Sequence, residues 1–345
     1  MKFTNIASVA ALAAAGVFAA SAASAQSRDT IQIAGSSTVL PFASVVAEEF
    51  GNTFPEYKTP VVGSGGSSGG LRQFCQGVGE NTIDVANASR AIRAKEIDSC
   101  NAAGVNNIIE VKIGYDGIVF ASDASTNTFA FTPDQIFQAI AAEVPVDGEL
   151  KANPYTNWNQ ISSDLPDQDI TLVIPGTNHG TREVFEEKVV LPGCEEFDVM
   201  TAMDEDAMEA ACLAFRQDGR VIEVAGDYTE TLGRLDAQKS AVGVFGLSFY
   251  EQNRDRLQVA TVSGVEPSMD TIASGEYPVS RPLFFYVKGE HIGVIPGLED
   301  YALFFVSDAV SGAASPLESA GLIPLGDDER QAQMDAIMDR TTVTK

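Results

Sequence analysis

Residues Gly63 to Gly70 read G-S-G-G-S-S-G-G, a run of small donors suited to holding a small anion. Val61-Val62 before it suggests the end of a strand. Leu71, Phe74 and Val78 after it recur at spacings of three and four, which predicts that a helix follows. Glycines in such a turn let the backbone approach a ligand closely, while the unpaired N–H groups of the helix start and the serine hydroxyls converge on one small space. The chemistry on offer is capture of phosphate, sulfate or a carboxylate. Two other readings fit the stretch taken alone. A Gly/Ser run also serves as a flexible linker, and Gly65-Gly66-Ser67-Ser68-Gly69 matches the G-x-S-x-G nucleophile elbow, which would make Ser67 the nucleophile of a serine hydrolase.

The elements that would position these donors recur along the chain. Ile31-Gln32-Ile33-Ala34 reads as a strand. It is followed by the small polar turn Gly35-Ser36-Ser37-Thr38-Val39-Leu40-Pro41 and a helix with Phe42, Val45, Val46 and Phe50 on one face and Glu48 and Glu49 on the other. Ile83 to Ala88 reads as another strand, ending in Ser89-Arg90. Three donor-rich strand ends in succession argue against a linker and fit an open α/β sheet that binds its ligand beyond the carboxyl ends of its strands. The elbow loses ground as well, because only His179 and His291 could serve as its base and neither has a recognisable motif around it.

From Ile113 to Phe120 the chain is expected to cross to a second lobe, where Thr132-Pro133-Asp134 starts a helix. Thr171 to Ile174 is a buried strand there, followed by Pro175-Gly176-Thr177-Asn178-His179-Gly180-Thr181-Arg182 and a helix bearing Val184, Phe185 and Val189. This fourth donor-rich end belongs to the second lobe, so a ligand held by both lobes would close a hinge between them. Cys194 to Cys212 reads as an acidic helical flap, Ala241 to Tyr250 as a buried strand, and Pro282 to Lys288 as the strand returning to the first lobe. The tail, with Tyr301, Phe304, Phe305 and Val306, packs there. The expected division is lobe I over 26–113 and 283–345, and lobe II over 114–282.

Met1-Lys2, an Ala/Val/Phe-rich run and Ala23-Ser24-Ala25 have the parts of a secretory signal, so residues 1–25 are expected to be removed and the rest exported. No later apolar run is long enough to span a membrane. Export makes disulfides the natural state of the four cysteines. They allow three pairings, of which Cys75 with Cys100 and Cys194 with Cys212 keeps each bridge within one lobe. Neither C-x-x-C spacing nor partnering histidines point to zinc, and no cofactor is expected. The net charge of -26, from 48 acidic and 22 basic residues, excludes nucleic acid and anionic membranes as partners. An anion therefore gets no help from the overall field and must be held by local donors and an arginine.

Taken together, the motifs G-S-S-T-V-L-P at Gly35, G-S-S-G-G at Gly66, D-V-A-N-A-S-R at Asp84, Y-D-G-I at Tyr115, Y-T-N-W at Tyr155, N-H-G-T-R at Asn178 and G-V-F-G-L-S-F-Y at Gly243 resemble the phosphate-binding proteins (PstS type) of the Pst ABC importer, a family of class II periplasmic solute-binding proteins. The resemblance implies an α/β, two-lobed type II periplasmic binding protein with a hinge and an interlobe cleft. It would be a monomer without enzymatic activity, delivering inorganic phosphate to inner-membrane permease subunits. Carried over by motif, the ligand set is Ser37, Thr38, Val39, Ser67, Ser89, Arg90, His179, Gly180, Thr181 and Arg182. Many members have Ser where His179 stands and an Arg near Pro175, and some have an Asp where this chain has Ser89-Arg90. That Asp accepts a hydrogen from the bound phosphate and so rejects sulfate. Here Arg90 or Arg182 would supply the cation, and Asp84 or Asp116 the acceptor. Sulfate or phosphonate binding and a Ser67 hydrolase stand as alternatives.

Overall fold

The computed structural model describes residues 28–177, 180–225 and 228–344; the expected signal over 1–25 and His179 lie outside the described residues. The main sheet is built from β1 (Gln32–Gly35), β2 (Val61–Ser64), β3 (Val85–Ala88), β4 (Ile108–Asp123), β5 (Leu172–Pro175), β6 (Val221–Val224), β7 (Val242–Gly246), β8 (Leu257–Val259) and β9 (Ser280–Lys288). Its order is β2-β1-β3-β9-β4-β7-β5-β6, with β8 also paired to β4. The flanks β2-β1-β3 and β7-β5-β6 are parallel, and the long antiparallel pair β4 and β9 lies between them.

The sequence of β9, S-R-P-L-F-F-Y-V-K, explains how this strand sits in the middle. Phe285 and Val287 pack on one face with Ile33, Val85 and Val111, under α1 (Leu40–Thr53) and the helix Leu298–Phe305. Phe284 and Tyr286 pack on the other face with Ala86, Leu71 and Phe74, under α2 (Gly66–Phe74). A strand apolar on both faces belongs in a sheet covered on both sides. The α1 face matches its pattern, with Phe42, Val46 and Phe50 buried and Glu48 and Glu49 exposed. Helix α2 ends at Phe74, however. Val78 lies beyond it and is exposed, because the chain turns through Gly77, at φ 129°, toward the Cys75–Cys100 bridge to α3 (Ala94–Ala102).

A separate core holds Ile118 to Ala121 of β4, strands β5 and β7, Trp158 and α4 (Pro133–Ile140). Helix α4 starts where Thr132 and Gln135 form the reciprocal cap of a capping box. Cys194, Met200 and Cys212 are fully buried in the same core, so the acidic stretch between the bridged cysteines is anchored by its apolar residues. The architecture is therefore two-lobed α/β, with β4 and β9 running from one set of cores into the other. The two strands shift register at Leu283/Phe284, beside Gly114, where a Cβ would meet Ile323 O at 2.5 Å. Such bulges bend a strand pair. Ala241 to Tyr250 divides into β7 and a helix rather than forming one strand. The chain turns at Gly246, where a Cβ would lie 3.1 Å from the Tyr228 hydroxyl, and Leu247–Glu251 is a short helix. Among the described residues no helix is long and apolar enough to cross a membrane.

Candidate anion-binding site

The donors of the first lobe are brought together by contacts that only glycine permits. A Cβ on Gly70 would lie 2.4 Å from Gly35 Cα, and one on Gly35 would lie 2.1 Å from Asn87 O, so α2 rests directly on the ends of β1 and β3. This close approach sets Ser67 beside Ser89. The Ser67 hydroxyl oxygen accepts the Ser89 amide at 3.0 Å and lies 3.0 Å from the Ser89 hydroxyl, and both serines are buried. At the start of α1, buried Ser36 accepts the amides of Thr38 at 3.2 Å and Val39 at 3.4 Å. Sequence reading placed Val39 among the ligand donors, but its amide is thus already used inside the turn.

The second lobe meets this surface at Gly180. A Cβ there would lie 2.9 Å from Thr38 Cα, so the absence of a side chain lets the helix Gly180–Phe185 touch the turn before α1. Buried Thr181, next in that helix, shares a hydrogen bond with the Tyr228 hydroxyl. A cavity of about 320 Å³ is lined by Ser37, Thr38, Asp116, Gly180 and Thr181, and also by Pro41, Phe42, Tyr228, Ser248, Phe249, Gln252 and Ser319-Ala320-Gly321. A second, of about 210 Å³, is lined by Gly65 to Gly69, Ser89, Arg90, Arg93, Glu183 and Glu187.

Arg281, 3% exposed, ties the two lobes together. Its Nη2 donates to Thr38 Oγ1 at 2.8 Å and to Glu183 Oε2 at 3.3 Å, and its Nη1 donates to Glu187 Oε2 at 2.9 Å. Across the β4–β9 pair Arg281 stands opposite Asp116, with Nε 4.0 Å from Asp116 Oδ2. Neither of these two buried atoms has a hydrogen-bond partner. Burial pushes the Asp116 carboxyl above the usual carboxylate range; Arg281 pulls it back and Glu183 raises it further. The first cavity therefore brings a buried acceptor together with hydroxyl residues of both lobes, and the Arg281 guanidinium, which lines neither cavity, stands behind Thr38 and Asp116. Sequence reading missed Arg281. The available signal was a lone charge before Pro282 at the start of an otherwise apolar strand.

The other candidates are distributed as follows. Arg90 lines the second cavity, but its guanidinium is gripped by Glu96, at 2.7 and 2.9 Å, and also bonds Ser68. The Glu96 hydrogen bond is the main reason that the Arg90 pKa is raised. Arg182 is buried away from both cavities. It donates to Glu186, Glu223 and Pro175 O and lies over the Phe215 ring, so its guanidinium is engaged within the second lobe. Asp84, the other candidate acceptor, is fully buried elsewhere, bonded to Arg28, the Gln32 amide and His291 Nδ1. His291 Nε2 accepts the Gly79 amide at 3.1 Å, which puts the ring proton on Nδ1, facing Asp84. This histidine is therefore a packing residue and does not reach Ser67.

The chain is 28% identical over 321 residues to Protein SphX of Synechococcus elongatus, covering 91% of this chain and 83% of the relative. It is 26% identical over 310 residues to the phosphate-binding protein PstS of Staphylococcus epidermidis, covering 88% and 82%. The crystal structure of a possible phosphate binding protein from Planctomyces limnophilus superposes with a TM-score of 0.68 at 26% identity, covering 92% of this chain and 100% of that one. The model of the PBP superfamily domain matches residues 20–309, and with its two-lobed α/β architecture the chain belongs to that superfamily.

Proposed function

We propose that this protein is an exported receptor for inorganic phosphate that hands its ligand to the permease subunits of an ABC importer and performs no chemistry on it. In this reading it works as a periplasmic monomer, with lobe I formed by 26–113 and 283–345 and lobe II by 114–282. Ser37, Thr38, Ser67 and Ser89 offer donors from the first lobe, and Gly180 and Thr181 from the second. The similarity to a PstS protein and to SphX supports the assignment.

The observation that carries it is Asp116 Oδ2, a buried carboxylate oxygen without a hydrogen-bond partner, on a carboxylate that lines the same cavity as Ser37, Thr38, Gly180 and Thr181, while Ser67 and Ser89 line the second cavity. A buried acceptor is costly unless something donates to it. Hydrogen phosphate carries a P–OH that can do so, whereas sulfate at neutral pH has no proton to offer and would face the carboxylate with like charge. Asp116 thereby takes the role for which the sequence left Asp84 and Asp116 both open.

Calorimetry of the purified protein with phosphate and sulfate tests this. Phosphate should bind at least about a hundredfold more tightly than sulfate, and Asp116→Asn should narrow the gap to about tenfold or less, since an amide can donate to a fully deprotonated oxyanion. Equal binding of the two anions by the wild type would overturn the assignment. No heat with either, together with ester hydrolysis lost in Ser67→Ala, would instead favour the hydrolase.

A further inference from the structure

The donors expected to hold the anion are divided between two cavities. Ser37, Thr38, Gly180 and Thr181 line the first together with Asp116, while Ser67, Ser89 and the glycine turn line the second. Glu183 also lines the second, and its Oε2 lies 3.4 Å from the hydroxyl oxygen of Thr38, which lines the first. The contact between these two side chains is therefore part of the boundary between the cavities. Opening it would join the two donor sets around one space.

A threonine hydroxyl has one hydrogen to give and lone pairs with which to accept, whereas a guanidinium only donates. Arg281 Nη2, 2.8 Å from Thr38 Oγ1, therefore donates and the hydroxyl accepts. The Thr38 hydrogen goes to Glu183 Oε2, which also accepts from the same Nη2 at 3.3 Å. An anion that is to accept from Thr38 must take this hydrogen from Glu183.

Of the three contacts in this triangle, Thr38 to Glu183 is the longest and so the weakest. Glu183 is also the member with room to move, since its side chain is 35% exposed against 3% for Arg281. Its carboxylate can turn into solvent without leaving a buried charge alone, because Arg281 keeps Glu187 as a partner at 2.9 Å. The like charge of an arriving anion favours the same movement.

We propose that Glu183 is a gate residue of the anion site: its carboxylate competes with the anion for the Thr38 hydroxyl, and its withdrawal joins the two cavities into one site with donors from both. This rests on the phosphate reading above and adds to it a residue that sets the affinity.

The test is calorimetry of the purified protein with phosphate, for wild type, Glu183→Ala, Glu183→Gln and Glu187→Ala, with Thr38→Val added to wild type and to Glu183→Ala. Glu187→Ala is the control, because it strips a carboxylate from the same guanidinium without touching Thr38. Glu183→Ala should bind phosphate at least about fivefold more tightly than wild type, Glu183→Gln at least about twofold, and Glu187→Ala within about twofold of wild type. Thr38→Val should cost at least about threefold more affinity in the Glu183→Ala background than in wild type, since the hydroxyl no longer has to be freed from Glu183. Thermal melting shows which variants are folded, and if Glu183→Ala is not, Glu183→Gln takes its place in every comparison. Wild type that binds phosphate while the Glu183 variants bind it no more tightly would overturn the gate and leave the phosphate site standing. Equal gains from Glu183→Ala and Glu187→Ala would do the same, showing that charge alone is at work, as would a Thr38→Val loss that is the same in both backgrounds. No phosphate heat with wild type would instead bring down the phosphate reading, and the gate with it.

Discussion

Replacing Arg281 with methionine removes the buried cation that stands behind Thr38 and Asp116. Its Nη2 lies 2.8 Å from Thr38 Oγ1, so an anion oxygen accepting from that hydroxyl would stand about 5–6 Å from the guanidinium, by ordinary hydrogen-bond lengths. At an effective dielectric of about 20, attraction at that distance is about 3 kcal/mol per unit charge. Removal also leaves Glu183 and Glu187 uncompensated beside the site, which adds repulsion. Rearrangement and water entry recover part of this, so the expected loss of phosphate affinity is about 1.5–3 kcal/mol, or roughly ten- to a hundredfold. Arg281→Lys keeps the charge but loses the fork that reaches Thr38, Glu183 and Glu187 together, and should fall between wild type and the methionine variant. Calorimetry gives the affinities, and circular dichroism with thermal melting shows that each variant is folded. Stability should also fall, by about 3 kcal/mol or more, because Asp116 loses its nearest positive charge in a buried setting. A folded Arg281→Met protein that binds phosphate within about threefold of wild type would refute the electrostatic argument.

Arg90→Ala should weaken phosphate less than about fivefold, because Glu96 already holds its guanidinium as a partly exposed pair; a larger loss would place Arg90 at the ligand. The bridges Cys75–Cys100 and Cys194–Cys212 close loops with sequence separations of 25 and 18. Each should contribute roughly 3 kcal/mol by loop entropy, so Cys-to-Ser pairs should unfold at distinctly lower denaturant, and unchanged midpoints would remove this account. Lys288 is pushed down from 10.5 to about 8, chiefly by burial, with Asp84 and Glu290 pulling it back up. Between pH 8 and 10.5 the unfolded chain then binds more protons than the folded one, so the stability of wild type relative to Lys288→Met should rise across that window. A flat or falling difference in urea midpoints with pH would contradict it.

The local elements were legible in the residues because their signals are local. The 3.6-residue spacing of Phe42, Val46 and Phe50 sets which face of α1 is buried, and Thr132-Pro133 with Gln135 marks the start of α4. The glycine and serine turns before α1 and α2 and at Gly180 were recognisable as donor clusters, and their order along the chain carried the family resemblance. Where periodicity was extended past a glycine it failed: Val78 lies outside α2, and Ser248 to Tyr250 are helical where a strand was expected.

What the sequence by itself determined is the set of strands, helices and donor turns. What only the tertiary structure decided is which charges come together beside the cavity, because that depends on strand register and on packing between residues far apart in the chain. Asp116 and Arg281 are separated by most of the second lobe and become opposite residues only when β4 pairs with β9. Arg182 directly follows Thr181 yet turns to Glu186, Glu223 and the Phe215 ring, since successive helical residues point in different directions. Asp84 and Asp116 are both carboxylates in sequence, but His291 and Arg28 occupy one, while folding leaves an oxygen of the other buried without a hydrogen bond.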